Sequence, residues 1–204
     1  MAKADKILAD KILKEVYEEL EIDDLDEEGK YSRIVDIVDE LERRNKYNSF
    51  NVKTTGTISE RLCELGLEAS VPVLYGHLNK DWKWVGDFYL KGQPFNVIIS
   101  VKSFTAKERL LASGSGNLLS PTIAFGLFND VDEWTYNRVL SYMFRGFFSI
   151  YMPDAMLESL GQKSKDINNI LGRPFLRGIS TFTDDLRNAA VGKGKHTFID
   201  PKRL

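Results

Sequence analysis

Asp87 and Lys102 are the two residues whose types and setting could do chemistry together. Asp87 lies in Trp84-Val85-Gly86-Asp87-Phe88-Tyr89-Leu90, and Lys102 closes the apolar run Phe95-Asn96-Val97-Ile98-Ile99-Ser100-Val101-Lys102. A Gly/Pro turn, Lys91-Gly92-Gln93-Pro94, separates them. Two β-rich runs bounded by turn residues read as a hairpin. That places a carboxylate and an amine on adjacent strands, within reach of one metal site. Ser100 and Lys102 are two apart, so their side chains leave the same strand face. A carboxylate that holds a divalent cation and a lysine beside the attacking water are the apparatus of metal-assisted phosphodiester hydrolysis.

These residues need a scaffold, and the chain can build one. At 204 residues and 43% hydrophobic it can bury a real core, most simply as one compact domain. Residues 1–30 carry 11 acidic and 5 basic side chains, whereas residues 101–204 carry 10 acidic and 14 basic. An acidic N-terminal arm before a mildly basic remainder suits a nucleic-acid groove outside that arm. The single cysteine, Cys63, forbids an intramolecular disulfide, falls in an apolar helical pattern and fits a reducing cytoplasm. No apolar run approaches the ~20 residues of a membrane span, and the opening residues are too charged for a signal peptide. The CxxC, HExxH, P-loop and GxGxxG patterns are all missing, so neither a zinc cage nor a nucleotide cofactor is expected.

Apolar spacing predicts helices over 4–20 and 31–46, an acidic connector between them, and a polar segment over 47–56. Thr57-Ile58-Ser59-Glu60 matches a capping box, which predicts a third helix from Thr57 to about Leu67. Strands are expected over 70–78, across the hairpin, and over 121–128 and 147–152. A short helix is expected after Lys102 and another over 131–144. The resulting order is a mixed sheet flanked by helices, of the α/β (α+β) class, with an N-terminal helical extension.

A helix bearing a glutamate, a strand, Gly-Asp at a hairpin strand, then Ile-Ile-Ser-Val-Lys-Ser resembles the PD-(D/E)xK nuclease superfamily, most of all its Type II restriction endonucleases. The likeness spans residues 57–128. It implies a restriction-endonuclease-like core over 56–204, carrying C-terminal recognition elements. Residues 1–55 would form a helical region for dimerisation or DNA contact. It also implies Mg²⁺ as cofactor and double-stranded DNA, cut at a short palindromic site by a homodimer, as substrate. Asp87, Lys102, Glu60 and Ser100 would be the catalytic residues. Asp87, Glu60 and Val101 would be the metal ligands, the last through its main chain. Gly86 stands where the motif has proline, and Ser100 where it has its second acid. Glu60, or an acid after the lysine such as Glu108, would have to replace that acid.

DNA contacts are expected from Arg43, Arg44, Lys46, Asn48 and Lys53, before the Glu60 helix, and from Lys107, Arg109, Ser113, Ser115 and Asn117, after the lysine. Pro153-Asp154 and Asp81-Trp82-Lys83 mimic motif pieces. They read as a strand-to-helix turn and a loop. Gly56-Thr57-Ile58-Ser59-Glu60-Arg61 is also similar to the opening of the archaeal Holliday-junction resolvases. A structure-specific nuclease, or a decayed nuclease kept as a DNA-binding module, are therefore alternative readings.

Overall fold

A computed structural model describes residues 2–103, 120–193 and 197–204. Four helices open the chain: α1 (Ala2–Glu19), α2 (Glu27–Tyr31), α3 (Ile34–Asn48) and α4 (Val52–Ser70). Then come β1 (Tyr75–His77), β2 (Phe88–Leu90), β3 (Val97–Lys102) and β4 (Thr122–Gly126). α5 (Tyr136–Phe144), β5 (Phe147–Met152), α6 (Asp154–Ser159), α7 (Gln162–Lys165) and β6 (Leu176–Gly178) follow. α8 (Phe182–Ala189) and a small ribbon, β7 (Ala190–Val191) with β8 (Phe198–Ile199), complete it.

The main sheet has six strands in the order β1-β2-β3-β4-β5-β6. β1, β2 and β3 pair antiparallel, and β3 through β6 pair parallel, so the sheet is mixed as expected. β4 (Thr122-Ile123-Ala124-Phe125-Gly126) is buried at every position, the signature of a strand covered on both faces.

Alternation sorts its neighbours into two cores. Val97, Ile99, Val101, Ile123, Phe125 and Tyr151 join one core with α1, α3, α4 and α8. Ala124, Ile150 and Met152 join the other with α5, α6 and α7. The central helix α4 buries Ile58, Leu62, Cys63, Gly66 and Leu67. At Gly66 a Cβ would stand 2.7 Å from the Tyr31 ring and 2.9 Å from the Phe182 ring, so glycine sets how closely α2 and α8 approach α4.

Several predicted boundaries move. α4 begins at Val52, five residues before Thr57, and its cap is Asn51, whose side chain accepts from Lys53 N and Thr54 N. Thr57 lies inside the helix and donates to Lys53 O at 3.1 Å, so Glu60 is not part of a capping box. The strand expected over 70–78 shrinks to Tyr75–His77, because α4 runs on to Ser70. The acidic connector contains α2. Residues 131–144 divide into a 3₁₀ turn and α5 at Thr135, the α5 cap position.

Candidate active site

Asp87 stands one residue before β2, where β2 and β3 part. Its N–H donates to Ile99 O at 2.8 Å. Its Oδ2 accepts the Val101 N–H at 2.7 Å, so a carboxylate replaces a main-chain carbonyl in the ladder. An extended residue sends its N–H and C=O to the same strand edge. The Val101 carbonyl therefore leaves β3 on the side where Asp87 lies. Gly86 makes the crossing possible. A Cβ there would stand 2.4 Å from Ile98 Cγ2 and 2.8 Å from Ile99 O. That close approach explains the glycine at this position.

Glu60 comes to the same place from α4. It is half-buried, and its pKa is raised chiefly by burial and then by the neighbouring Asp87 charge, against the opposing charges of Lys83, Arg61 and His77. Asp87 is also half-buried and raised, again chiefly by burial. The Val101 N–H, Lys102 and Lys83 pull the other way. Two carboxylates and two lysines thus share one electrostatic neighbourhood. Cys63 lies beneath them, fully buried, its thiol pushed well up by burial and by the charges of Asp87, Glu64 and Glu60. The packing role expected for this cysteine matches its place in the core.

The other expectations fare unevenly. Lys102 is half-buried and its charge acts on Asp87. Ser100 is 0% exposed, and its Oγ has no hydrogen-bond partner among the described residues. An enclosed hydroxyl presents nothing to a solvent-filled site, so Ser100 does not join the group.

Arg43 and Arg44 are committed elsewhere. Arg43 bonds Glu40 at 2.6 Å and Glu19 at 3.1 Å. Arg44 bonds Glu40 at 2.6 Å, Glu15 at 3.0 Å and Glu19 at 2.5 Å. These pairs tie α3 to α1 and consume the positive charge that a phosphate contact would need. Lys46, Asn48 and Lys53 are exposed around the α3–α4 corner. Lys107, Glu108, Arg109, Ser113, Ser115 and Asn117 lie outside the described residues. Asp154 serves as an internal clamp and accepts from Ser180 N at 3.2 Å and Ser180 Oγ at 2.6 Å. Asp81 sits in an exposed 3₁₀ turn. The aspartates of both decoy motifs thus lie apart from Asp87, one in a clamp and one in a turn.

Sequence reasoning missed Lys83. It belongs to the turn dismissed as a loop, yet its charge reaches both Glu60 and Asp87. Local pattern carried no sign of this. The position follows from the hydrogen bond of Leu78 N to Asp87 O at 3.0 Å, which folds the β1–β2 connection back onto the site.

The donors suit a hard divalent cation in kind. Two carboxylates and a main-chain carbonyl are oxygen ligands, and Mg²⁺ commonly needs only one or two carboxylates because it keeps several waters. No cluster of three or more His, Cys, Asp or Glu side chains suited to a metal occurs among the described residues.

No family model matches the chain, and no curated protein matches it in sequence. Among solved structures it is similar to the restriction endonuclease PspGI in complex with its substrate DNA. That match has a TM-score of 0.52 at 17% identity and covers 87% of this chain and 90% of that one. The fold is thus that of a restriction endonuclease: a mixed six-stranded sheet flanked by helices. Among the described residues no helix is long and apolar enough to cross a membrane.

Proposed function

We propose that this protein is a Mg²⁺-dependent endonuclease of the PD-(D/E)xK type that hydrolyses double-stranded DNA at a short palindromic site, as a Type II restriction enzyme does. One observation carries the reading: Asp87, Glu60 and Lys102, far apart in sequence and on three different elements, gather where β2 and β3 separate. Raised carboxyl groups clustered with lysines are the kind of perturbation that marks functional sites. The restriction-endonuclease-like fold supports the same reading.

Asp87, Glu60 and the Val101 carbonyl would hold the cation, which would neutralise phosphate charge and stabilise the departing oxygen. Asp87 is fixed for this task by the Val101 N–H, which engages its Oδ2. The Lys102 ammonium, beside Asp87, holds the attacking water by hydrogen bonding and balances negative charge that builds on the phosphate. Lys83 adds a second positive charge on the opposite strand connection. The two half-buried carboxylates strengthen each of these interactions by partly excluding water.

Cutting both strands of a palindrome calls for two such sites related by a two-fold axis, hence a homodimer. Incubation of the purified protein with plasmid DNA and Mg²⁺, followed by end mapping, tests the whole reading. Discrete fragments with one sequence at every end are the expected result. Equal cutting by the parent, Asp87→Ala and Lys102→Ala would refute it. Preferential cutting of four-way junctions would instead favour a structure-specific nuclease.

A further inference from the structure

The β1–β2 connection carries an exposed aromatic pair directly beside the Asp87 site. Trp82 is 47% exposed and Trp84 57%. Their rings stack on one another, with centroids 6.3 Å apart and planes 24° apart. The loop beneath them is pinned. Asn79 Oδ1 accepts from Asp81 N at 3.1 Å, and Trp82 N donates to Asn79 O at the same distance. Val85 N donates to Trp82 O at 2.9 Å, and Val85 itself is buried. Leu78 N to Asp87 O closes the loop. Two large apolar rings are therefore held out into solvent by a rigid turn, an arrangement that burial energetics alone does not explain.

We propose that Trp82 and Trp84 form a platform for the nucleic-acid strand that carries the scissile phosphate, and that they position that strand over Asp87. The inference deepens the endonuclease reading and rests on it. Three features single out nucleic acid as the occupant. The platform joins the site covalently, since Trp84 is three residues from Asp87. Lys83, between the two tryptophans, is exposed and its charge acts on both Asp87 and Glu60, so the platform carries a positive charge near the two carboxyl groups. The turn carries Lys80 and Lys83 against a single Asp81, a net positive charge that complements a phosphate backbone. Indole faces accept any base or sugar edge, and stacking on them tolerates sequence. Because the turn is already ordered, little entropy is lost when a strand docks.

The chain has three tryptophans, and the third, Trp134, is buried at 2% exposure. Intrinsic fluorescence therefore reports on the pair almost alone. Filter retention of radiolabelled plasmid fragments, with Ca²⁺ in place of Mg²⁺, reads binding by the parent, by a Trp82→Ala/Trp84→Ala variant and by a Trp82→Phe/Trp84→Phe variant, since the variants have lost the indoles that quenching would follow. The parent should retain the fragments, and its emission should be quenched on binding. The alanine variant should bind about tenfold more weakly or worse, the size of a lost base–aromatic stack, while Trp134 keeps the emission of a buried indole and so certifies the fold. The phenylalanine variant should recover most of the binding.

If the alanine variant binds and cuts plasmid like the parent, the platform is refuted while the nuclease reading stands. If the parent neither binds nor cuts DNA, both are refuted. If the alanine variant changes the mass of the assembly and leaves DNA binding intact, the pair contacts protein and the inference is overturned.

Discussion

Two clusters of buried charge sit at opposite sides of the sheet, and they are built on opposite plans. Around β6, Arg177 is nearly enclosed and each of its three guanidinium nitrogens donates to the fold. It donates to Pro174 O at 2.9 Å, to Tyr151 OH at 3.1 Å, to Asp185 Oδ2 at 2.7 Å and to Leu204 O. Tyr151 OH closes the circuit by donating to Asp185 at 2.8 Å. Around β2 and β3, by contrast, the half-buried Asp87 has one main-chain amide, and its carboxyl and that of Glu60 are both raised by burial. A buried charge that the fold satisfies internally belongs to the architecture. One that it leaves partly uncompensated is held ready for a ligand that brings positive charge.

Activity should part the two clusters most sharply. Asp87→Ala should lower Mg²⁺-dependent plasmid cleavage by about a hundred- to a thousandfold or more, as expected for losing a group that organises charge in the transition state. Its thermal unfolding should remain cooperative. Lys102→Ala should fall in the same range. A cut rate near the parent's in either variant would break the contrast.

Stability should part them the other way. Arg177→Ala leaves the half-buried Asp185 with the Tyr151 hydroxyl in place of a charged partner and empties the nearly enclosed space of the guanidinium, a change worth up to about 3–5 kcal/mol. In a chain of this size that lowers Tm by about 10 °C or more, to be read by calorimetry. Any loss of cleavage should follow the loss of fold rather than precede it.

Gly86→Ala probes the geometry that separates the strands. The new methyl must displace Ile98 or the Ile99 carbonyl, at an overpacking cost of about 1–3 kcal/mol. Because the shift falls one residue from Asp87, cleavage should drop more than Tm does. Equal, small effects on both would show that Asp87 is not held by this approach.

The pH dependence sharpens the comparison further. Asp87 and Glu60 titrate above the ordinary carboxylate value in the folded chain, so the folded state holds their protons more tightly than the unfolded state does. Their favourable contribution is present below the ordinary carboxylate pKa and is lost as pH rises through the raised values. Asp87→Asn should therefore raise the Tm of the metal-free protein at neutral pH by about 2–4 °C, roughly 1 kcal/mol. The gain should vanish below the ordinary carboxylate pKa. Cleavage by the parent should fall as the medium is acidified through the raised values, because protonated carboxyl groups hold no cation. A Tm gain that persisted in acid would mean that it does not come from relieving the Asp87 charge, and no gain at neutral pH would mean that the charge is compensated after all.

How far the sequence reveals this arrangement depends on where the stabilising contacts are. β5 coincides with the predicted 147–152, and β3 falls inside the predicted hairpin, because long runs buried on both faces announce themselves. Asp87 and Lys102 were legible for the same reason, since each interrupts such a run. The first turn of α4 was not. Val52 through Thr57 contains three threonines and a glycine, which are weak helix formers. Burial of Thr54 and Thr55 in the tertiary structure holds them helical, so the sequence-level signal pointed to the false start at Thr57. β6, with three residues, is too short for periodicity. α8 is nearly so, although Phe182, Leu186 and Ala189 recur at helical spacing on its buried face. Lys83 reaches the site only through a loop closure that no local pattern encodes.

Ser100 offers the smallest effect and the finest test. It stands two residues before Lys102 and lies on the same β3 face. Yet its hydroxyl is enclosed and unpaired among the described residues. Burying a hydroxyl without a partner costs about 1–3 kcal/mol, part of which returns when the group is deleted. Ser100→Ala should therefore leave cleavage unchanged and move Tm by 0 to about +4 °C, within about 1 kcal/mol. If cleavage falls as it does for Asp87→Ala, then Ser100 reaches the cation when DNA is bound. An enclosed, unsatisfied hydroxyl would in that case be a held-ready ligand in the same sense as the two raised carboxylates, and the functional cluster would extend one residue further along β3. If instead stability rises and cutting is untouched, the contrast between satisfied and waiting groups applies to charges alone.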